Sequence, residues 1–150
     1  MKNLRGVTLM ELTVIIAIIG IMTVVAMVSL SGAKNSKAVE TAAREVAAAV
    51  REAQNYAITG KNAKGGCSYS FSYTALSSGY NISGCSDISY TLKNGVLFGA
   101  AGGSISFSIP SATTSGGNIE VKKGSTSYIV CVCSSGKIEE KAGSSCAGVC

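Results

Sequence analysis

The chain has 150 residues, 47% of them hydrophobic, with 13 basic and 8 acidic side chains, a formal charge of +5 and no histidine. That length suits one ordinary domain. Without histidine, Ser-His-Asp, Cys-His and histidine-metal chemistry are excluded; once Lys2 and Arg5 are set aside, 11 basic against 8 acidic groups are too evenly balanced to argue for nucleic acid.

The first predicted element is a helix from Val7 to Thr59, in two halves: 7–30 and 31–60. Met1-Lys-Asn-Leu-Arg-Gly6 is a basic head, Val7-Thr-Leu-Met-Glu11 follows, and Leu12 to Leu30 carries no charge. The segment 7–30 is long enough to cross a bilayer. Lys2 and Arg5 would stay cytoplasmic, which sends the C-terminal part outward. A charge near the centre of such a helix costs about 2.5–3.5 kcal/mol, so Glu11 is expected to have a partner. A cleaved secretory signal ending at Ser31-Gly32-Ala33, or a plain signal anchor, leaves Glu11 unexplained. Cleavage after Gly6 instead puts a free amine on Val7, one helical turn before Glu11. The pair can form within one chain or between helices displaced by about a turn, and the second option makes Glu11 an assembly device.

Arg5-Gly6-Val7-Thr8-Leu9-Met10-Glu11 followed by Leu12-Thr-Val-Ile-Ile-Ala-Ile-Ile-Gly20 resembles the class III signal of type IV pilins and type II secretion pseudopilins. The resemblance implies that a prepilin peptidase cuts between Gly6 and Val7 and N-methylates Val7. It gives Glu11 the role of partner to the N-terminus of an adjacent subunit. It also implies a pilin lollipop fold, other pilins or pseudopilins as partners, an assembly platform in the cytoplasmic membrane, and lipid contact before assembly. Two departures stand out: Val7 replaces the commoner phenylalanine or methionine, and Val28 stands where many members carry proline.

Beyond Leu30, Val39, Ala42, Val46, Ala49, Ala53 and Tyr56 recur at steps of three and four, tracing one stripe. Lys37, Glu40, Arg44, Glu45, Arg51 and Glu52 fall between them, with Glu40 and Arg44 in the favoured i, i+4 order. Gly60 is the expected stop. At 1.5 Å per residue the helix would run roughly 80 Å, against about 30 Å of hydrocarbon. The second half is therefore expected to pack its stripe on its own globular domain, with alanines at 42, 43, 47, 48 and 49 allowing a sheet to sit close.

Residues 61–150 hold 14 of the 18 glycines and all six cysteines, and read as a globular antiparallel β region. Cys67 to Tyr73 alternates as a strand. Ile88, Tyr90 and Leu92 form another, turning at Asn94-Gly95 as a hairpin into Val96-Leu97-Phe98. Ile105, Phe107 and Ile109 lead to Pro110. Ile119 and Val121 precede a turn at Lys123-Gly124, and Tyr128 to Cys133 is a β-branched run. One long helix followed by strands is α+β. The order of the late strands is similar to the tail of H-type minor pseudopilins and related minor pilins. Some of these bind DNA through Gly-Arg-x-Arg, but Gly136-Lys137-Ile138-Glu139-Glu140 lacks the second arginine, so DNA binding is not carried over and a DNA-uptake pilin is a distant alternative.

An even set of cysteines behind an export signal reads as disulfides. Six cysteines allow 15 connectivities, and the spacing does not choose among them. Cys131 and Cys133 face the same way on one strand and are expected to pair with two different cysteines; the set we favour is Cys67 with Cys85, and Cys131 and Cys133 with Cys146 and Cys150. No haem, phosphate-loop or zinc pattern is present, so no catalytic, metal or cofactor residues are assigned and an enzyme is not expected. The reading is a structural filament subunit, minor pilin or pseudopilin, held in the inner membrane by a single span with its β region outside and then built into a periplasmic or extracellular filament. The alternative is a signal-anchored or secreted disulfide-rich binding module.

Overall fold

The computed structural model describes residues 8–61, 67–85 and 87–150, with backbone alone at 25–30. Gly6 and Val7 lie outside these residues. Helix α1 spans Leu9–Thr59 and is followed by eight strands. The chain divides into two compact units, Met1–Lys34 and Asn35–Cys150.

In the first unit, α1 starts on a side-chain N-cap. The Glu11 amide donates to the Thr8 hydroxyl at 3.2 Å and to the Thr8 carbonyl at 3.1 Å. Thr8 is thus the N-cap and Glu11 the third helical residue, the spacing at which an acid also meets the positive end of the helix dipole. No helix among the described residues is long and apolar enough to cross a membrane. The expected span, 7–30, extends past them at Val7 and in the side chains of 25–30.

In the second unit, α1 lies on two antiparallel four-stranded sheets and the architecture is α+β. Its fully buried positions are Val39, Ala43, Val46, Ala47, Val50, Ala53 and Ala57, with Ala42 and Ala49 slightly exposed beside them. The centre of the buried face is therefore rotated from the expected stripe. Ala42 and Ala49 fall on its flank, and Tyr56 is only partly buried. The helix ends as expected: Gly60 adopts φ 61°, and the Lys61 amide bonds the Tyr56 carbonyl at 3.3 Å, the left-handed cap that glycine makes without a Cβ clash.

The first sheet has the order β3-β2-β1-β5 from β1 (Tyr69–Tyr73), β2 (Gly79–Ser83), β3 (Ile88–Thr91) and β5 (Gly103–Phe107). The second has the order β4-β6-β7-β8 from β4 (Leu97–Phe98), β6 (Gly117–Lys123), β7 (Thr126–Val132) and β8 (Ile138–Ala142). The Asn94-Gly95 turn forms, with φ of 60° and 67° and a Val96-to-Lys93 bond at 3.3 Å. It does not make the expected hairpin. Its two arms bond adjacent carbonyls, Leu92 to Ser78 at 2.8 Å and Phe98 to Ser77 at 2.9 Å. Leu97 and Phe98 then pair with Lys122 and Val121 in the other sheet. Phe98 thereby joins the sheets, its ring 4.7 Å from Tyr73 and 5.9 Å from Tyr80.

Alternation along β7 turns Val130 and Val132 toward the helix side and Ile129 and Cys131 to the opposite face. That outer face is nevertheless buried at Ile129, Cys131 and Cys133, because the C-terminal segment covers it. Disulfides join Cys131 to Cys146 and Cys133 to Cys150, and a third joins Cys67 to Cys85. Lys137 and Lys141 donate to the carbonyls of Val149 and Ala147 at 3.3 and 3.2 Å.

Candidate functional site

Around Glu11 the helix is apolar on every side. Leu9, Met10, Leu12, Val14, Ile15, Ile16, Ile18, Ile19, Ile21, Met22 and Val24 are all between 46% and 81% exposed. At 100° per residue these positions surround the axis, so no single stripe describes them. The hydroxyls within the run are satisfied internally: Thr13 donates to the Met10 carbonyl at 2.8 Å and Thr23 to the Ile19 carbonyl at 2.7 Å. Such back-bonding leaves an apolar medium no orphan hydroxyl to solvate. Glu11 is then the only ionisable side chain among the described residues 8–33. Thr8 shares the site with it. Sequence reasoning treated Thr8 only as part of the signal pattern, although Thr-x-x-Glu is itself the sequence mark of a capping box.

The charges of the second half of α1 are not uniformly solvent-facing. Glu40 does bridge Lys37 at 2.8 Å and Arg44 at 2.6 Å on the surface; the Lys37 hydrogen bond, foremost, holds its carboxyl below the usual range. Glu45 and Glu52, in contrast, accept from Tyr80 and Tyr90, each at 3.3 Å, and Tyr56 also donates to Glu52. Burial, then the Glu45 charge, pushes the Tyr80 phenol well above its ordinary value; burial, then Glu52, raises Tyr90. On the opposite flank Arg51 donates to the Ile138 carbonyl and to Glu140, both at 3.0 Å, and Gln54 donates to the Gly136 carbonyl at 3.1 Å. One flank of the helix holds the first sheet and the other holds the β7–β8 turn. In the segment compared with a Gly-Arg-x-Arg motif, both acids have partners: Glu139 bridges Lys137 at 3.0 Å and Glu140 meets Arg51.

Among the described residues no cluster of histidine, cysteine, aspartate or glutamate is arranged to hold a metal ion. A pocket of about 180 Å³ lies on the outer side of the second sheet, lined by Tyr73, Gly99, Asn118, Glu120, Ile129 and Ser144 among others. Comparison with protein families, with curated proteins and with solved structures finds no match for this chain.

Proposed function

We propose that the chain is a structural, non-enzymatic subunit, a minor pilin or pseudopilin, of a type IV pilus-like or type II secretion filament. In this reading the precursor sits in the inner membrane through 7–30 with its β region outside, as a pilin lollipop. It is cut between Gly6 and Val7, methylated on Val7, and assembled by helix packing in which Glu11 pairs with the Val7 amine of a neighbour. Other pilins, a prepilin peptidase and a membrane assembly platform are its partners.

The observation that carries the reading is the uncovered apolar helix with a single carboxylate, Glu11, near its start. Burying a large aliphatic side chain contributes about 1.5–3 kcal/mol, so eleven such groups in water forgo well over 10 kcal/mol. Lipid first and packed helices later would supply that cover. Gly20, around which a Cβ would meet nothing within 4 Å of its own chain, leaves room for a neighbouring backbone. A second reading, a signal-anchored or secreted disulfide-rich binding module, is favoured by the three disulfides of the β region.

The mature N-terminus separates the two. Intact mass of the exported protein is expected to show a chain beginning at methylated Val7. An uncut Met1 or a start at Lys34 would sink the filament reading. Glu11→Ala is expected to insert normally and fail to assemble; normal assembly would remove the pairing role.

A further inference from the structure

The pocket on the second sheet combines features that folding alone does not require. Glu120 in β6 lies opposite Gly99, whose amide donates to the Glu120 carbonyl at 2.8 Å. A Cβ on Gly99 would stand 2.5 Å from Glu120 Oε2 and 2.9 Å from its Cβ. Only glycine therefore lets the carboxylate lie where it does, against the pocket wall. No hydrogen bond or ion pair among the described residues engages that carboxylate, while Glu40, Glu139 and Glu140 each have a basic partner. The other polar lining is neutral: Tyr73, whose hydroxyl donates to the Asn118 carbonyl at 3.1 Å, with Asn118 and Ser144. Burial raises the Tyr73 phenol, so it stays uncharged. Buried Ile129 supplies an apolar wall. At about 30 Å³ per water-sized group, the volume suits a short alkyl chain ending in a charged head.

A second, independent feature adjoins it. Leu76, in the β1–β2 loop, has φ 55° and is 60% exposed. A bulky side chain in that region is strained, and an exposed leucine gains little by burial. Its amide bonds the carbonyl of Gly99 at 3.1 Å, so this displayed apolar side chain belongs to a loop anchored on the pocket wall.

We infer that this pocket binds a primary alkylammonium group, with Glu120 as the counter-ion, Gly99 as the residue that admits the carboxylate, and Leu76 as an apolar contact for the part of the ligand outside. A lysine side chain of another protein and a small free amine share this chemistry. The inference does not rest on the filament reading and stands or falls separately.

The test titrates the isotope-labelled full chain, in nonionic detergent, with N-acetyl-lysine amide, its norleucine counterpart and n-butylamine. Saturable amide shifts are expected at Gly99, Asn118, Glu120 and Ile129, with a dissociation constant on the order of millimolar for the lysine amide, as befits one charged contact. Norleucine amide should produce none. Glu120→Gln should weaken binding by about tenfold or more, an isosteric change that leaves the backbone bond to Gly99 in place. Leu76→Gly should raise the unfolding midpoint, by relieving strain, and yet weaken the lysine amide several-fold. Tighter binding of the lysine amide than of n-butylamine identifies a protein side chain as the source; tighter n-butylamine identifies a free amine. Equal shifts from lysine and norleucine amides, or unchanged binding in Glu120→Gln, would overturn the proposal.

Discussion

Phe98 offers the sharpest test of how the β region holds together. It belongs to a two-residue strand, is fully buried, and sits with its ring 4.7 Å from Tyr73 and 5.9 Å from Tyr80, both in the other sheet. Truncation to alanine removes the whole ring from a closed core, which costs about 3–5 kcal/mol. Phe98→Leu keeps most of the apolar volume and loses the ring pairs and their fit, about 1–1.5 kcal/mol. At a urea m-value near 2 kcal/mol/M, the alanine midpoint should fall by about 1.5–2.5 M and the leucine midpoint by roughly 0.5–0.8 M. Urea unfolding of the full chain in detergent, disulfides intact, followed by tyrosine near-ultraviolet circular dichroism, reads both. A double-mutant cycle with Tyr73→Leu should give a coupling of about 0.5–1.5 kcal/mol. A loss under about 1 kcal/mol for Phe98→Ala, or no coupling to position 73, would show that the sheets are joined elsewhere.

Two further outcomes follow from single contacts. The folded Tyr80 phenol is raised above its ordinary value of 10.0, so the unfolded chain releases this proton first; stability is full below about pH 10 and falls as pH rises above it. Melting temperature from pH 8 to 11 should therefore decline at the alkaline end, and Tyr80→Phe should flatten that decline; an unchanged slope would remove Tyr80 as its source. Thr8→Ala deletes the hydroxyl that receives the Glu11 amide at 3.2 Å, a loss of about 1 kcal/mol at the helix start. Hydrogen exchange at Glu11 should quicken by about fivefold, and unchanged exchange would show that the cap adds nothing.

What the residues disclosed depended on whether the partner was local. The helix stop at Gly60 and the Asn94-Gly95 turn are set by neighbours a few positions away, and both form. The destination of the chain after that turn depends on the Ser77 and Ser78 carbonyls and on Lys122 and Val121, which no local pattern reveals. Residues Gly79–Ser83 went unassigned because serine and glycine surround them, although Tyr80 and Ile82 alternate as a strand should. β8 hides for a related reason: as a charged edge strand it buries only Ile138. The rotation of the buried helix face has a steric cause. Ala43, Ala47, Val50 and Ala57 are fully buried, and small alanines at three of these four positions let the sheets sit close without marking the face by bulk. The contacts of Glu45 with Tyr80, Glu52 with Tyr90 and Arg51 with Glu140 span 35 to 89 residues, so no local pattern reveals them.

The paired bridges of the C-terminal segment raise a question of folding fidelity. Cys131 and Cys133 stand side by side on one strand, and their native loops close over sequence separations of 15 and 17 residues. Exchanging Cys146 with Cys150 would close loops of about 13 and 19 residues, and the summed closure entropy differs by less than about 0.1 kcal/mol. Chain statistics alone thus oxidise both arrangements about equally well. The choice falls to contacts that dock the tail, chiefly the Lys137 and Lys141 bonds to the carbonyls of Val149 and Ala147. Oxidation that runs ahead of docking would form the exchanged bridges about as readily as the native ones, and their correction would need thiol–disulfide exchange.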